Sequence, residues 1–166
     1  MSGQYEPEGI YLSLPLVGNP LLLQAWGEYP EIYGRYTYNG VRLKGHIGID
    51  LGAAAGDWVL AADSGRVTEI SVEPGGFGRY IKLEHPWGES FYAGIVAPVV
   101  DAGQTVPRGH RLAQIDATHR RYPTHLHFAI RILPYNRYDG WGGYSDPLPY
   151  LYTPNLETVP LDPTVE

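Results

Sequence analysis

The chain has 166 residues, 21 glycines, 15 prolines, no cysteine and a net charge of −6. That length holds one domain with a real core; the acidic balance argues against nucleic acid as a partner, because phosphate binding needs a basic surface; and the missing thiols exclude a cysteine nucleophile or thiolate metal ligand. The glycines, prolines and 14 tyrosines favour short strands joined by turns over a helical bundle.

In chain order, residues 1–25, with Pro7, Pro15 and Pro20, read as an extended arm packed on the domain. No signal peptide is visible, since the first basic residue is Arg35. Leu21-Leu22-Leu23 is too short to span a bilayer, so no membrane span is expected. Trp26 to Lys44 collects Tyr29, Tyr33, Tyr36 and Tyr38 with Arg35 and Arg42 and reads as a half-buried loop whose rings cover a sheet edge.

Gly45-His46-Ile47-Gly48-Ile49-Asp50 follows. Residues four apart in a straight strand share a face but lie about 13 Å from each other, whereas one zinc ion takes its ligands at about 2 Å. Gly48 is a poor helix interior, so the spacing predicts a bent or bulged strand end with Gly48 absorbing the kink. Taken alone, this motif is equally compatible with a surface histidine and a turn aspartate.

Trp58 to Ala62 reads as a strand, Asp63-Ser64-Gly65 as a turn and Arg66 to Val72 as the returning strand. Gly75 to Gly78 reads as a second turn, with no phosphate-loop lysine after it. Arg79 to Glu84 alternates as a half-buried strand, and His85-Pro86-Trp87-Gly88 turns it back into Glu89 to Ile95, which makes His85 a turn residue. Asp101 to Gly109 has turn chemistry, with an exposed His110 after it. His125 to Ile132 alternates strictly: Leu126, Phe128, Ile130 and Ile132 face the core, and His125, His127, Ala129 and Arg131 face away. Pro134 to Pro149 reads as a long loop, and 152–166 as an acidic tail.

Three histidines and a carboxylate are the ligand types that bind zinc and leave a position for water. Their order, together with Val59 to Val67, Gly103-Gln104-Thr105-Val106, His125-Leu126-His127-Phe128 and Asp146 to Leu151, resembles the M23 (lysostaphin/LytM-type) metallopeptidases of bacterial cell walls. The resemblance spans residues 26–151 and implies an all-β single domain of antiparallel sheets of the LytM, duplicated-hybrid-motif type. The family's Tyr-x-His-Leu reads Tyr92-Ala93-Gly94-Ile95 here, so Gly94 replaces a histidine. Strand alternation predicts Tyr92 and Gly94 on the face over the metal.

The resemblance implies Zn2+ held by His46, Asp50 and His127, with His125 as the proton shuttle or oxyanion donor. His119, in the bulky loop Asp116 to Thr124, is a second catalytic candidate for the role lost at Gly94. Arg120 and Arg121 are suited to docking a peptide carboxylate, and the tyrosine-rich 26–44 segment to walling the groove. Two readings follow. One is a zinc metalloendopeptidase of weakened activity cutting peptidoglycan bridge peptides, extracellular or in the cell envelope. The other is a degenerate M23-like module that binds wall peptide or regulates a wall amidase.

Overall fold

The strictly alternating run from His125 to Ile132 lies in the middle of a large antiparallel sheet in the computed structural model, which describes residues 9–38, 40–73, 77–117 and 123–151. In chain order the strands are β1 (Leu22–Gln24), β2 (Thr37–Tyr38), β3 (Val41–Arg42), β4 (Ile49–Gly52), β5 (Trp58–Leu60), β6 (Gly65–Glu73) and β7 (Gly78–His85). They continue as β8 (Gly88–Ala93), β9 (Ile95–Val96), β10 (Thr105–Val106), β11 (Arg111–Ile115), β12 (His125–Ile132) and β13 (Tyr144–Ser145). One helical turn, α1 (Pro30–Tyr33), lies between β1 and β2, and a 3-10 turn spans Leu148–Tyr150.

Among the described residues the large sheet runs β1-β4-β12-β8-β7-β6-β10 in space, with β13 pairing the second half of β12. A smaller sheet runs β5-β11-β9, and β2-β3 form a hairpin. The two-residue period decides what lies between the two larger sheets. Ile49, Leu51, Ile81, Leu83, Tyr92, Leu126, Phe128 and Ile130 point inward and meet Val59, Ile95, Leu112 and Ile115 in one core. Residues before β1 complete it: Ile10, Leu12 and Leu16 are buried, Leu12 bridges to Leu151, and Leu16 bridges to Val59. The opposite, outer face of the large sheet carries a second cluster of Ile47, Phe91, Ala93, Ala129 and Tyr144, with Trp26, Leu43, Phe77 and Tyr80 packed on it. No helix among the described residues is long and apolar enough to cross a membrane.

Three expectations change. Residues 58–72 do not form a hairpin: β5 joins the small sheet through β11, while β6 pairs β7 and β10 in the large one, so the chain crosses between sheets at Asp63-Ser64. Leu60 and Val67 thus serve different sheets, a choice that local alternation does not encode. Trp26 to Lys44 is not wholly loop, since it carries α1 and the β2-β3 hairpin. His85 is no turn residue but the end of β7, only 4% exposed.

His85 sits in a closed polar chain. Its Nδ1–H donates to Ser64 O (2.7 Å), its Nε2 accepts from Ser90 Oγ (2.7 Å), Ser90 Oγ accepts from Tyr92 OH (2.8 Å), and Tyr92 OH accepts from the Ala62 amide (2.9 Å). Each of these groups is satisfied only while His85 is neutral. Burial lowers the His85 pKa from the ordinary 6.5, against the raising effects of the Ser64 bond and the Asp63 charge. The unfolded chain therefore binds a proton first as pH falls. The contribution is fully present above about pH 6.5 and is lost as pH drops below it toward the folded-state value. Thermal melts of chelator-treated protein at pH 7.5 and pH 5 should show a larger loss for wild type than for His85→Gln; equal losses would remove His85 as the cause.

Candidate metal centre

Asp50 lies at the middle of β4 between two residues of the core, Ile49 and Leu51, so alternation forces its carboxylate onto the outer face. In the β4–β12 register it stands across from His127, and His127 stands across from Ala93 on β8. His46 precedes the strand. It is brought back over Asp50 by Gly48, whose φ of +92° is the left-handed conformation glycine adopts freely. A side chain at position 48 would also place its Cβ 2.5 Å from Phe128 O. The backbone of His46 is fixed on both sides, its N–H donating to Glu28 O (3.0 Å) and its carbonyl accepting from the Gly27 amide (2.9 Å).

The ring atoms converge on one oxygen. His46 Nε2 lies 3.2 Å and His127 Nδ1 3.0 Å from Asp50 Oδ1, and the three ligand atoms are all within 4.8 Å of one another. Zinc ligands at 2.0–2.2 Å in a tetrahedron lie about 3.3–3.6 Å apart, close to the two nitrogen–oxygen separations. The hydrogen-bond pattern also asks for a cation. His46 Nδ1 faces the carbonyl of Ala25 at 3.3 Å, which requires a proton there and leaves a lone pair at Nε2 aimed at a carboxylate oxygen. Two acceptors 3.2 Å apart repel unless a positive charge lies between them. The residues therefore fit a divalent metal.

The electrostatics agree. A proton can take the cation's place: burial alone would raise the Asp50 carboxyl, but the charge of a protonated His46, hydrogen bonds from His127 and His46, and charge at His125 together hold it well below its ordinary range. Burial lowers His127 against the pull of Asp50 and keeps it the neutral imidazole that metals bind. Its Nε2 is buried with no hydrogen-bond partner among the described residues, and its ring centroid lies 4.6 Å from that of Phe77 and 6.0 Å from that of Phe91.

His125 stands beside this cluster, across from Gly52. Its Nδ1–H donates to Pro123 O (2.9 Å), which leaves Nε2 as an acceptor 3.9 Å from Asp50 Oδ2, with a quarter of the side chain open to solvent. His119, Arg120 and Arg121 lie outside the described residues.

Gly94 is next to His125 but not where strand alternation puts it. Tyr92 is fully buried in the main core, paired with Ile81, so its face is the inner one and the outer face belongs to Phe91 and Ala93. The strand then stops at Ala93, and Gly94 turns away with φ +85°, its amide donating to Arg79 O and its carbonyl accepting from Asp116 N. A Cβ placed there would lie 3.0 Å from His125 O and near no other non-adjacent atom.

The family model for peptidase family M23 matches residues 44–140. A Haemophilus influenzae protein described as an uncharacterized metalloprotease is 31% identical over 129 residues. The chain belongs to peptidase family M23. This M23 chain covers 77% of itself in that alignment and spans 27% of the relative's length. Its fold matches that of lysostaphin from Staphylococcus simulans, an antimicrobial peptidase, at 25% identity and a TM-score of 0.63, over 80% of this chain and 50% of that one. It also matches a chain of the SpoIIQ–SpoIIIAH pore forming complex at 22% identity and a TM-score of 0.64, over 86% and 91% of the two chains. Its mostly antiparallel sheets with almost no helix are those of the lysostaphin and LytM type.

The structure gives two further side chains a definite place at the candidate site. Tyr33, from the tyrosine-rich segment expected to wall the groove, lies in α1 with its ring 5.2 Å from that of His46. Arg131, 3% exposed, lies between the rings of Tyr135 (4.9 Å) and Tyr144 (4.2 Å), donates twice to Gly142 O and reaches Glu89. It thereby clamps the segment whose Trp141 stacks on Trp26 at 4.6 Å. The alternation of β12 placed Arg131 on the site face; only the fold shows that it serves the wall of the site. A separate concavity of about 520 Å³ near Glu84, Pro86 and Leu133 lies at the other end of β7 and β8 and includes none of the cluster residues.

Proposed function

We propose that the chain is a zinc metalloendopeptidase acting on peptide bonds of peptidoglycan bridges, in the cell envelope or outside the cell. Membership of a metallopeptidase family and the fold shared with an antimicrobial peptidase support this reading. The observation that carries it is the convergence of His46, Asp50 and His127 on a single carboxylate oxygen beside an open His125. His46, Asp50 and His127 would hold the ion, and two nitrogens plus one oxygen with a free position is a catalytic rather than a structural zinc set. When bound, such an ion supplies Lewis acidity, activating water and polarising a carbonyl.

The chain's own groups do the rest. Nε2 of His125, its tautomer set by the Pro123 carbonyl, accepts a proton from the attacking water and returns it to the leaving amine. Arg131 and the Trp26–Trp141 stack hold one wall in place, and Phe77 and Phe91 exclude water behind His127. Gly94 supplies no second proton-bearing group. That absence favours the second reading, a degenerate module binding wall peptide or regulating a wall amidase; a related fold serving in a pore forming complex agrees with it.

Metal analysis combined with digestion of purified wall peptides separates the two. Purified protein should carry close to one zinc per chain, His46→Ala and His127→Ala should lose it, and His125→Ala should keep it while hydrolysis falls by about 10²–10⁴. Bound zinc with no hydrolysis of any wall peptide would leave only the binding module. Loss of zinc in His125→Ala with retention in His127→Ala would exchange their roles.

A further inference from the structure

Gln24 is a polar side chain that none of the roles above uses, yet it is only 3% exposed. It ends β1, the strand at the edge of the large sheet beside the ligand strand β4, and stands across from Asp50 in their register. The register shifts between Leu22 and Gln24, so Leu22 still faces Leu51 in the core while Gln24, two residues on, faces Asp50. One cross-strand row on the outer face therefore reads Gln24, Asp50, His127, Ala93.

The amide is oriented. Tyr33 OH donates to Gln24 Oε1 at 2.8 Å, and the same tyrosine ring packs on His46. With its oxygen taken, Gln24 directs its Nε2 donors elsewhere, and that nitrogen bonds to none of the described residues. That nitrogen is not fully buried, so the little of Gln24 that stays exposed leaves its donors within reach of a ligand, where an apolar residue would close the sheet edge. Its neighbour Leu23 shows that apolar residues are accommodated in this strand. A donor of this kind matches an acceptor that arrives with the substrate, and an extended peptide offers one carbonyl per residue.

We propose that Gln24 is a substrate-binding residue, its Nε2 donating to a backbone carbonyl of the bound peptide on the His46 side of the cluster, across the metal position from His125. This rests on the peptidase reading of the site. It makes recognition partly independent of peptide side chains, since the group contacted is common to every residue.

Gln24→Glu tests it, because glutamate keeps an acceptor for Tyr33 and the shape of the side chain but has no donor when ionised. Gln24→Met, uncharged and of similar length, is the second variant. Both are placed in zinc-loaded His125→Ala protein, which binds without turnover, and titrated calorimetrically with soluble peptidoglycan fragments. The expected result is a dissociation constant raised about ten- to a hundredfold in both variants, with the zinc content and melting temperature of Gln24→Met unchanged. Wild-type affinity in Gln24→Glu with weakened binding in Tyr33→Phe would reduce Gln24 to a support for Tyr33 and overturn the proposal alone. If the background protein carries zinc but binds no fragment, the peptidase reading and this proposal fall together.

Discussion

Asp50→Asn is expected to empty the metal site and lower hydrolysis by at least about 10³-fold, the scale lost when a principal electrostatic element of a site is removed. A single oxygen of Asp50 is shared by the His46 and His127 imidazoles at 3.2 and 3.0 Å. Asparagine matches its shape but carries no charge, and its amide nitrogen cannot bind a cation. The core should stay filled, since Ile49 and Leu51 are unchanged, but the neutral side chain loses the imidazole interactions that hold the Asp50 carboxyl below its ordinary range. Chelator-treated Asp50→Asn should therefore still fold but melt at a lower temperature than chelator-treated wild type. Metal analysis and melting together check both halves, and a full complement of zinc in the variant would end the assignment of this carboxylate as a ligand.

Gly94→His should raise hydrolysis of wall peptides by about 10² or more, the usual contribution of one positioned acid–base group. The structure adds a cost. Position 94 has φ +85°, where a side chain loses about 1–2 kcal/mol, although histidine is among the residues that enter this region most readily. The new Cβ would also press on His125 O at 3.0 Å, so a shift of a few tenths of an ångström is needed. Gly94→Ala carries the same strain without the imidazole and is the control: it should melt like Gly94→His and gain no activity. If His119 supplies the missing group instead, His119→Ala removes most wild-type activity and Gly94→His gains little. An activity that neither substitution alters would sink the two-histidine account.

What could be read without coordinates followed from short-range geometry. The alternation of His125 to Ile132 fixed which side chains enter the core, and Gly48 between His46 and Asp50 required a bend; both appear in the fold. What could not be read depended on which strands pair. Gln24 becomes a neighbour of Asp50 only through the β1–β4 register, and Tyr33 meets His46 only because α1 packs there. Gly94 shows the limit of alternation itself, which ceases to apply where a strand ends. His85 looked like punctuation before a proline but ends as a buried link in a hydrogen-bonded chain, because burial is decided by what crosses above a residue.

The core also has a bearing on how such a module travels between proteins. Similarity to the family covers 44–140, yet Ile10, Leu12, Leu16, Leu22 and Leu23 are each at most 6% exposed. At about 1.5–3 kcal/mol per buried side chain, these five contribute roughly 7–15 kcal/mol, as much as the whole net stability of an ordinary domain. A segment excised at the limits of family similarity would therefore lack the means to stay folded. The piece that gene fusion or transplantation must carry across intact begins near residue 10, 36 positions before His46.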